Sequence, residues 1–382
     1  MNEIFSRGMA AATRLTQAGK LGEATALLQK ILRGDSSPSE PEPVAWQRLI
    51  EAPLIDASAV KTSKMDLRGF FDRTAPLAEP ISPRVRKSRA ETAPAGIGHA
   101  PGQFIPGSFS NNAGSRAYKL YIPAVRDGGA RPLIVMLHGC MQSPDDFAAG
   151  TRMNACAEEH ECFVVYPEQA SSANASKCWN WFKSAEQVRG RGEPSIIAGL
   201  TREIIKNNAI DPHRVYIAGL SAGGAAAAIM GETYPELYTA VGVHSGLACG
   251  AARDMPSAIA VMSGHPQTRG AGPDRQSEMF VPTIVFHGDR DTTVHPRNGA
   301  EVIARAGELS NLQSMTENAT AAGRPYTRSL YRNAQGRTVM EEWVIHGAGH
   351  AWSGGSKRGS FADAKGPDAS REMLRFFLAQ RI

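Results

Sequence analysis

Three residue types that together catalyse acyl transfer occur in this chain in the order serine, aspartate, histidine. Ser221 lies at the centre of the pentapeptide Gly219-Leu220-Ser221-Ala222-Gly223, between a β-type run, 214–218, and an alanine-rich, helix-forming run, 222–230. A serine on such a strand-to-helix turn needs small neighbours, because side chains two residues away would collide with the strand and the helix. The spacing therefore predicts that Ser221 is a nucleophile at a helix N-terminus, with the Ala222 backbone N–H directed at a developing oxyanion.

The motif alone does not decide the matter. A G-x-S-x-G match can arise by chance in a chain with 38 glycines, so a glycine-rich turn without chemistry is the alternative. The strand before Ser221 and the helix after it favour the catalytic interpretation, because they are the setting that an exposed nucleophile requires.

The acid partner is expected after Ser221, since chains with this turn present serine, acid and histidine in that order. A buried-type apolar strand, 281–286, runs into a loop that contains Asp289 and Asp291. Asp289 directly follows Gly288 and is typical of a turn former. Asp291 lies further along the loop, where it can turn back under an imidazole, and is the preferred acid.

His350 is the preferred base. It lies in a loop after the strand that ends near Ile345, and glycines 347 and 349 let this loop bring the ring over the serine. The weaker alternatives are histidines that belong to a strand, follow the acid too closely or precede it: His346, His295, His138 and His287.

A second oxyanion donor is expected in the loop after an earlier strand. The apolar run 131–137 leads into His138-Gly139, and the next backbone N–H groups, those of Cys140 and Met141, are the available donors. Ser143 and the proline and acids after it then begin a helix. Strand, loop and helix thus follow each other here as they do around Ser221.

Several motifs together resemble one known family. They are Leu137 to Gln142, Cys178 to Trp181, Gly219 to Gly224, Val243 to Gly246 and Gly347 to Gly355. In collinear order they resemble the polyhydroxybutyrate (PHB) depolymerase family of esterases, which also contains feruloyl and acetylxylan esterases. The resemblance implies an α/β-hydrolase fold and a catalytic triad without a cofactor. Its implied residues are Ser221 as nucleophile, Asp291 as acid, His350 as base, and the Cys140 and Ala222 N–H groups as oxyanion hole.

The resemblance also bears on the substrate and the cysteines, and the position of Trp352 bears on the cleft. It implies a short-chain hydroxyalkanoate polyester or its oligomers as substrate, with feruloyl or acetyl esters of plant polysaccharide as the alternative. Trp352, two residues past the base, is expected to line the acyl cleft, and a buried core tryptophan is the other possibility. Secreted relatives use disulfides, which points to Cys140 with Cys178 as the pair. No signal-type segment is found, which favours reduced thiols and a cytoplasmic location by default, whereas the resemblance implies an extracellular one.

Alternating strands and helices predict a mostly parallel sheet with helices on both faces across residues 103–382. Apolar residues at helical spacing predict a helical hairpin over residues 1–33. A proline-rich stretch, 34–102, is interpreted as a largely unstructured linker. The hairpin either packs on the catalytic domain or acts as an amphipathic anchor for a polymer granule, and a purely granule-binding protein is the non-enzymatic alternative.

Composition excludes several other classes of partner. The net charge of +5 comes in part from the basic run 84–89, which lies in the linker without the aromatic residues of a nucleic-acid-binding patch. No stretch has the length and apolarity of a transmembrane helix. The five cysteines lack the paired spacing of a metal site. We therefore expect an ester substrate, with neither nucleic acid nor a metal ion as partner.

Overall fold

The computed structural model describes residues 102–124, 128–265, 279–307 and 312–380. These residues belong to one compact unit, Glu79–Ile382. The hairpin predicted for residues 1–33 lies outside the described ranges, and so does the linker predicted for 34–102 except for its last residue.

Strands and helices alternate along most of the described chain. The strands are β1 (Gln103–Asn111), β2 (Gly114–Ile122), β3 (Arg131–Leu137), β4 (Phe163–Pro167), β5 (Ile210–Leu220), β6 (Ala240–His244), β7 (Thr283–Gly288), β8 (Gln313–Ala321), β9 (Arg324–Arg332), β10 (Thr338–Ile345), β11 (Trp352–Ser353) and β12 (Ala362–Asp363). The α-helices are α1 (Pro144–Thr151), α2 (Met153–Glu159), α3 (Gly192–Asn207), α4 (Ala222–Thr233), α5 (Met255–Met262), α6 (Arg297–Gly307) and α7 (Ala369–Ala379). A short 3₁₀ helix spans Ser184–Gln187.

Strands β1 to β10 form a ten-stranded sheet in the order β1-β2-β4-β3-β5-β6-β7-β10-β9-β8. The six central strands run parallel to one another: β4, β3, β5, β6, β7 and β10. Antiparallel pairs lie at the two edges, where β1 pairs with β2 and β8 with β9. A parallel sheet of this kind needs cover on both faces, which explains why its central strands are continuous apolar runs.

Side chains alternate between two cores, one on each face of the sheet. On β3, Leu133, Val135 and Leu137 pack in the core to which α3 and α4 contribute. Ile134 and Met136 pack in the second core, together with residues of α1, α2 and α7. The predicted α/β architecture, a mostly parallel sheet with helices on both faces, is confirmed.

The sequence did not predict three features of the fold. β8 is exposed along nearly its whole length, so its residues lack the apolar alternation of a half-buried strand. α5 was not predicted either, and the helix predicted from residue 145 is two helices, separated at Arg152, whose φ is 57°. These elements depend on tertiary contacts or on one unusual backbone conformation, and such features leave little trace in hydrophobic periodicity.

The register of the parallel strands brings their carboxyl ends to one edge of the sheet. Leu220 at the end of β5 pairs with His244 at the end of β6. His244 pairs in turn with Phe286 of β7, and Gly288 pairs with Ile345 at the end of β10. The loops after these strands therefore meet at a common edge, where open α/β sheets bind their ligands. Within the described ranges, no helix is long and apolar enough to cross a membrane.

Candidate active site

Ser221 lies on a sharp turn between β5 and α4. Its backbone has φ 57° and ψ −120°, an uncommon conformation for a residue other than glycine. The turn is held by its neighbour β6, since the Ser221 N–H donates to the His244 carbonyl oxygen at 2.9 Å. Strained residues of this kind occur where the surrounding structure over-determines them, frequently at active sites.

Glycines two residues either side of Ser221 make the turn possible. A Cβ on Gly219 would collide with the backbone of Gly223 and approach the Leu137 carbonyl oxygen. A Cβ on Gly223 would collide with the carbonyl oxygens of Leu137 and His138. The turn thus packs directly on the end of β3, and this is the physical reason for the spacing in the pentapeptide.

Asp291 and His350 form a buried hydrogen-bonded pair at the same edge. Asp291 follows β7, His350 follows β10, and His350 Nδ1 donates to Asp291 Oδ2 at 2.6 Å. The side chain of Asp291 is fully buried and that of His350 is 11% exposed. The second oxygen of Asp291 accepts the backbone N–H groups of Thr293 (2.9 Å) and Val294 (2.8 Å), which fix the carboxylate.

A second histidine, His287, also faces the acid. Its Nε2 donates to the Val294 carbonyl oxygen at 2.8 Å and lies 3.4 Å from Asp291 Oδ2. Burial acts to raise the pKa of Asp291, but the hydrogen bonds from His287 and His350 outweigh it and hold that pKa well below its usual range. Asp291 therefore stays ionised and holds the imidazole of His350 with Nδ1 protonated.

Within the described ranges, the His350 ring makes one hydrogen bond, to Asp291. No hydrogen bond there joins the ring to Ser221 Oγ. The ring nitrogen opposite the acid, Nε2, is therefore unused. Hydrogen bonds between a nucleophile and its base are often long in the absence of substrate and tighten in the complex.

The loop after β3, for which the sequence predicts an oxyanion donor, lies against Ser221. A Cβ placed on Gly139 would be 3.7 Å from Ser221 Cβ. The Met141 N–H is already bonded to the Ser176 carbonyl oxygen at 2.7 Å, whereas no hydrogen bond among the described residues uses the Cys140 N–H. Of the two donors that the sequence offered, Cys140 is thus the one available to a ligand. The Ala222 N–H begins α4 and has no acceptor within its helix.

Covalent and polar contacts hold this loop in place. Cys140 and Cys178 form a disulfide with a Cα–Cα distance of 4.2 Å, the pair that the resemblance implied. Trp179 is fully buried, and its Nε1 donates to the His138 carbonyl oxygen at 3.1 Å. The Gly139 N–H donates to Gln142 Oε1 at 2.9 Å. These contacts restrain the turn on both sides of the Cys140 N–H.

A buried carboxylate lies beneath the Cys178 segment. Glu193 accepts from the Asn180 backbone N–H and side chain, each at 2.7 Å, and from the Gln169 amide. Arg116 lies 3.3 Å away as its counter-ion. Burial raises the pKa of Glu193 while the Gln169 and Asn180 hydrogen bonds lower it in part. The network ties the segment to α3, and its only signal in the sequence is the polar Asn180 between two tryptophans.

His244 is a structural residue that sequence reasoning did not identify. It is the last residue of β6, the strand between those that lead to Ser221 and Asp291. Its side chain is fully buried, and its Nε2 accepts the Ser353 N–H at 3.0 Å. Its ring stacks between Phe286 and Trp352, with centroid distances of 5.8 and 5.0 Å. Burial lowers the pKa of His244 to about 3, so the ring stays neutral while it supports the turn under Ser221.

Trp352 corrects one expectation from the sequence. It is 1% exposed, stacks on His244, and donates from Nε1 to Ser370 Oγ at 3.1 Å. The prediction that it lines the acyl cleft is wrong, and the alternative, a buried core tryptophan, holds. The reason is that β11 turns inward immediately after His350, which places Trp352 in the core beside α7.

The histidines ranked below His350 have other surroundings. His346 pairs with Asp289 at 2.9 Å, and both side chains are more than a third exposed. His295 is exposed, and His138 is buried, with its Nε2 accepting the Gln169 N–H at 3.0 Å. No group of acidic, histidine or cysteine side chains among the described residues is arranged to hold a metal ion.

Comparison with known proteins agrees with this architecture. The chain is 32% identical over 252 residues to poly(3-hydroxyalkanoate) depolymerase C of Paucimonas lemoignei, which covers 64% of this chain and 60% of that protein. It is 28% identical over 268 residues to feruloyl esterase B of Neurospora crassa, covering 64% of this chain and 82% of that protein. The chain thus spans less than two thirds of the depolymerase's length.

A solved structure supports the fold. The acetyl xylan esterase from Aspergillus awamori superposes with a TM-score of 0.55 at 17% identity, covering 72% of this chain and 99% of that chain. At that identity the likeness speaks for the α/β-hydrolase fold alone. The family is given by sequence, since residues 116–328, more than half of the chain, match the model of the family described as esterase PHB depolymerase. The chain therefore belongs to the PHB depolymerase family of esterases.

Proposed function

We propose that this chain is a serine esterase that hydrolyses short-chain hydroxyalkanoate polyesters or their oligomers. Ser221 is the nucleophile, His350 the base, and Asp291 the residue that orients and stabilises the imidazolium. The backbone N–H groups of Cys140 and Ala222 form the oxyanion hole. The observation that carries the proposal is the buried Asp291–His350 hydrogen bond of 2.6 Å, on loops at the same edge of the sheet as the strained turn of Ser221.

The reaction proceeds in two halves. In the first, Ser221 Oγ bonds to the ester carbonyl carbon as its proton passes to His350 Nε2, and the carbonyl oxygen becomes an oxyanion held by the two N–H groups. The bond to the alcohol then breaks, and His350 returns the proton to the leaving oxygen. In the second half, water gives a proton to His350 as its oxygen bonds to the acyl carbon. The bond from that carbon to Ser221 Oγ then breaks, His350 returns the proton to Oγ, and the acid is released.

Membership of the family supports the esterase activity, and the depolymerase relative supports a hydroxyalkanoate substrate. Similarity to feruloyl esterase B keeps a carbohydrate-linked ester as the second candidate. The two are separated by a hydrolysis panel of hydroxybutyrate oligomers, a poly(3-hydroxybutyrate) suspension, methyl ferulate and acetylated xylan. Preference for the last two would overturn the polyester assignment. Binding of the polymer without hydrolysis of any ester would favour the granule-binding alternative.

The nucleophile is tested by Ser221→Ala. We expect turnover of p-nitrophenyl butyrate to fall about a thousandfold or more, because the oxyanion hole alone leaves only residual catalysis. Ser245→Ala is the matched control, since Ser245 also follows a central strand with a positive φ, 49°, but is fully buried. It should keep more than about a tenth of the activity. A folded Ser221→Ala protein with a tenth of the wild-type rate would contradict the assignment.

A further inference from the structure

Two bulky residues at the candidate site have left-handed backbone conformations. Met141, which directly follows the oxyanion donor, has φ 64°, and Phe361, in the segment after β11, has φ 50°. Such conformations are uncommon for large side chains and persist where surrounding contacts enforce them, often at ligand-binding sites. Neither residue is part of the triad or the oxyanion hole.

Polar contacts join the two segments that carry Met141 and Phe361. We call Gln142, Asp146 and Ser360 the loop clasp. Gln142 Nε2 donates to Asp146 Oδ2 at 2.9 Å and to the Ser360 carbonyl oxygen at 3.1 Å. Asp146 accepts the Ser360 N–H at 2.9 Å and its hydroxyl at 2.6 Å. Because each residue of interest is next to a clasp residue in the chain, Met141 and Phe361 are held at the junction of the two loops.

Both side chains are open to solvent in part, and that of Phe361 lies beside the candidate base. The Phe361 ring meets the His350 ring edge-on, with centroids 6.5 Å apart, and is only half-buried. Met141 is 44% exposed, and its N–H is fixed to the Ser176 carbonyl oxygen. Met141 thus directly follows the oxyanion donor in the chain, and the Phe361 ring adjoins the base.

The chemistry of this junction favours an aliphatic ligand. The clasp side chains form hydrogen bonds with each other and with the Gly139 N–H. Few of their donors and acceptors therefore remain for a sugar hydroxyl. A flexible thioether and an aromatic ring provide apolar contact for methylene groups. Trp352 is buried and cannot provide this contact, whereas Met141 and Phe361 are both exposed in part.

We propose that Met141 and Phe361 form the apolar wall of an acyl subsite that binds the short aliphatic acyl chain of the ester. The inference rests on the proposed function, because it takes the ester carbonyl to lie between Ser221 and the oxyanion donors. The wall selects for an acyl chain a few carbons long over acetyl, and it contributes through binding rather than through the chemical steps.

The test compares p-nitrophenyl acetate, butyrate and octanoate as substrates of the full chain. The variants are Phe361→Ala, Phe361→Leu and Met141→Ala, and the control is Met315→Ala, a methionine with similar exposure on edge strand β8. For Phe361→Ala we expect the butyrate-to-acetate ratio of kcat/KM to fall about tenfold, mainly through KM. Phe361→Leu should recover most of that ratio, Met141→Ala should lower it roughly threefold, and the control should leave it unchanged.

Three results would overturn the inference. An equal loss with acetate and butyrate, carried by kcat, would make Phe361 a positioning residue for His350. An unchanged ratio in an active Phe361→Ala protein would remove the wall while the proposed function stands. Absence of ester hydrolysis by the wild-type protein would instead sink the proposed function and the inference with it. If Phe361→Ala does not fold, Met141→Ala decides, and an unchanged butyrate-to-acetate ratio in that variant overturns the inference.

Discussion

Two aspartate–histidine pairs bridge the same two loops of this protein, and their surroundings differ. Asp289 and His346 are joined at 2.9 Å, and Asp291 and His350 at 2.6 Å. The side chains of the first pair are 37% and 41% exposed, whereas those of the second are 0% and 11% exposed. A hydrogen-bonded acid and imidazole are therefore not sufficient to mark a catalytic pair.

The two pairs differ in the hydrogen bonds of the second ring nitrogen, Nε2. His346 Nε2 is 2.9 Å from Thr327 Oγ1 on β9, so both ring nitrogens of His346 serve structural contacts. Burial opposes the ionisation of Asp289, and the hydrogen bond from His346 overcomes it, so the pKa of this acid is also lowered. Both acids are thus carboxylates at neutral pH, and charge does not separate the pairs. His350 differs in that no hydrogen bond among the described residues uses its Nε2.

Replacement of the two histidines should give the largest difference in activity between the pairs. His350→Ala should lower kcat for p-nitrophenyl butyrate by on the order of ten-thousandfold, because no other group takes the serine proton. His346→Ala removes an equivalent ring from the exposed pair and should change kcat by less than about threefold. Steady-state kinetics on both purified variants measures this. A larger loss in the His346 variant would exchange the roles of the two pairs.

The acids should show the same ranking with a smaller effect. Asp291→Asn keeps the shape of the side chain but removes the charge that holds His350, and kcat should fall on the order of a thousandfold. Asp289→Asn should cost less than about tenfold. Both substitutions are conservative, so circular dichroism is expected to show intact folds. If Asp289→Asn is the more damaging of the two, the acid of the triad is Asp289.

A third histidine at this edge, His244, is buried without a carboxylate partner. Burial, followed by the nearby His287 and His350, lowers the pKa of His244 to about 3, so it stays neutral in the folded protein where the unfolded chain binds a proton. Its contribution to stability is therefore lost as the pH falls below about 6.5, at up to roughly 1.4 kcal/mol of unfolding free energy per pH unit.

Urea denaturation between pH 7 and about 4 measures this slope. His244→Gln retains an acceptor for the Ser353 N–H and should flatten it, whereas His213→Gln, at an exposed position, should not. Asp291 adds a loss of the same sign only below about pH 4, where the unfolded chain protonates this carboxyl group and the folded protein does not, because its folded pKa is held well below the ordinary value. Equal slopes in wild type and His244→Gln would contradict the burial argument.

The smallest effect is expected from the exposed pair itself. A double-mutant cycle with Asp289→Asn and His346→Gln should give a coupling free energy below about 1 kcal/mol, because solvent screens charges at this exposure. Thermal or urea unfolding of the four proteins measures it. A coupling of several kcal/mol would show that exposure is a poor guide to what separates the two pairs.

The Ser221 turn is the feature of the site that local sequence predicts best. The collision that Gly219 and Gly223 avoid is between the turn and the end of β3, and the strand, turn and helix are contiguous in the chain. Local sequence therefore predicted both the turn and the strand and helix that flank it. The alternation of apolar strands with helices likewise predicted the parallel sheet. A strand buried on both faces is a continuous apolar run, and the central strands have this pattern.

The sequence by itself determined the turn of Ser221, the α/β architecture and the short set of acids and histidines that could serve it. Tertiary structure decided which acid faces which histidine, because β7 and β10 are neighbours in the sheet although 49 residues lie between Gly288 and Thr338 in the chain. It also decided that Trp352 is buried, that Cys140 meets Cys178 and that Phe361 lies against His350. These pairings depend on contacts between distant segments, and local patterns of residue type do not encode which segments will meet.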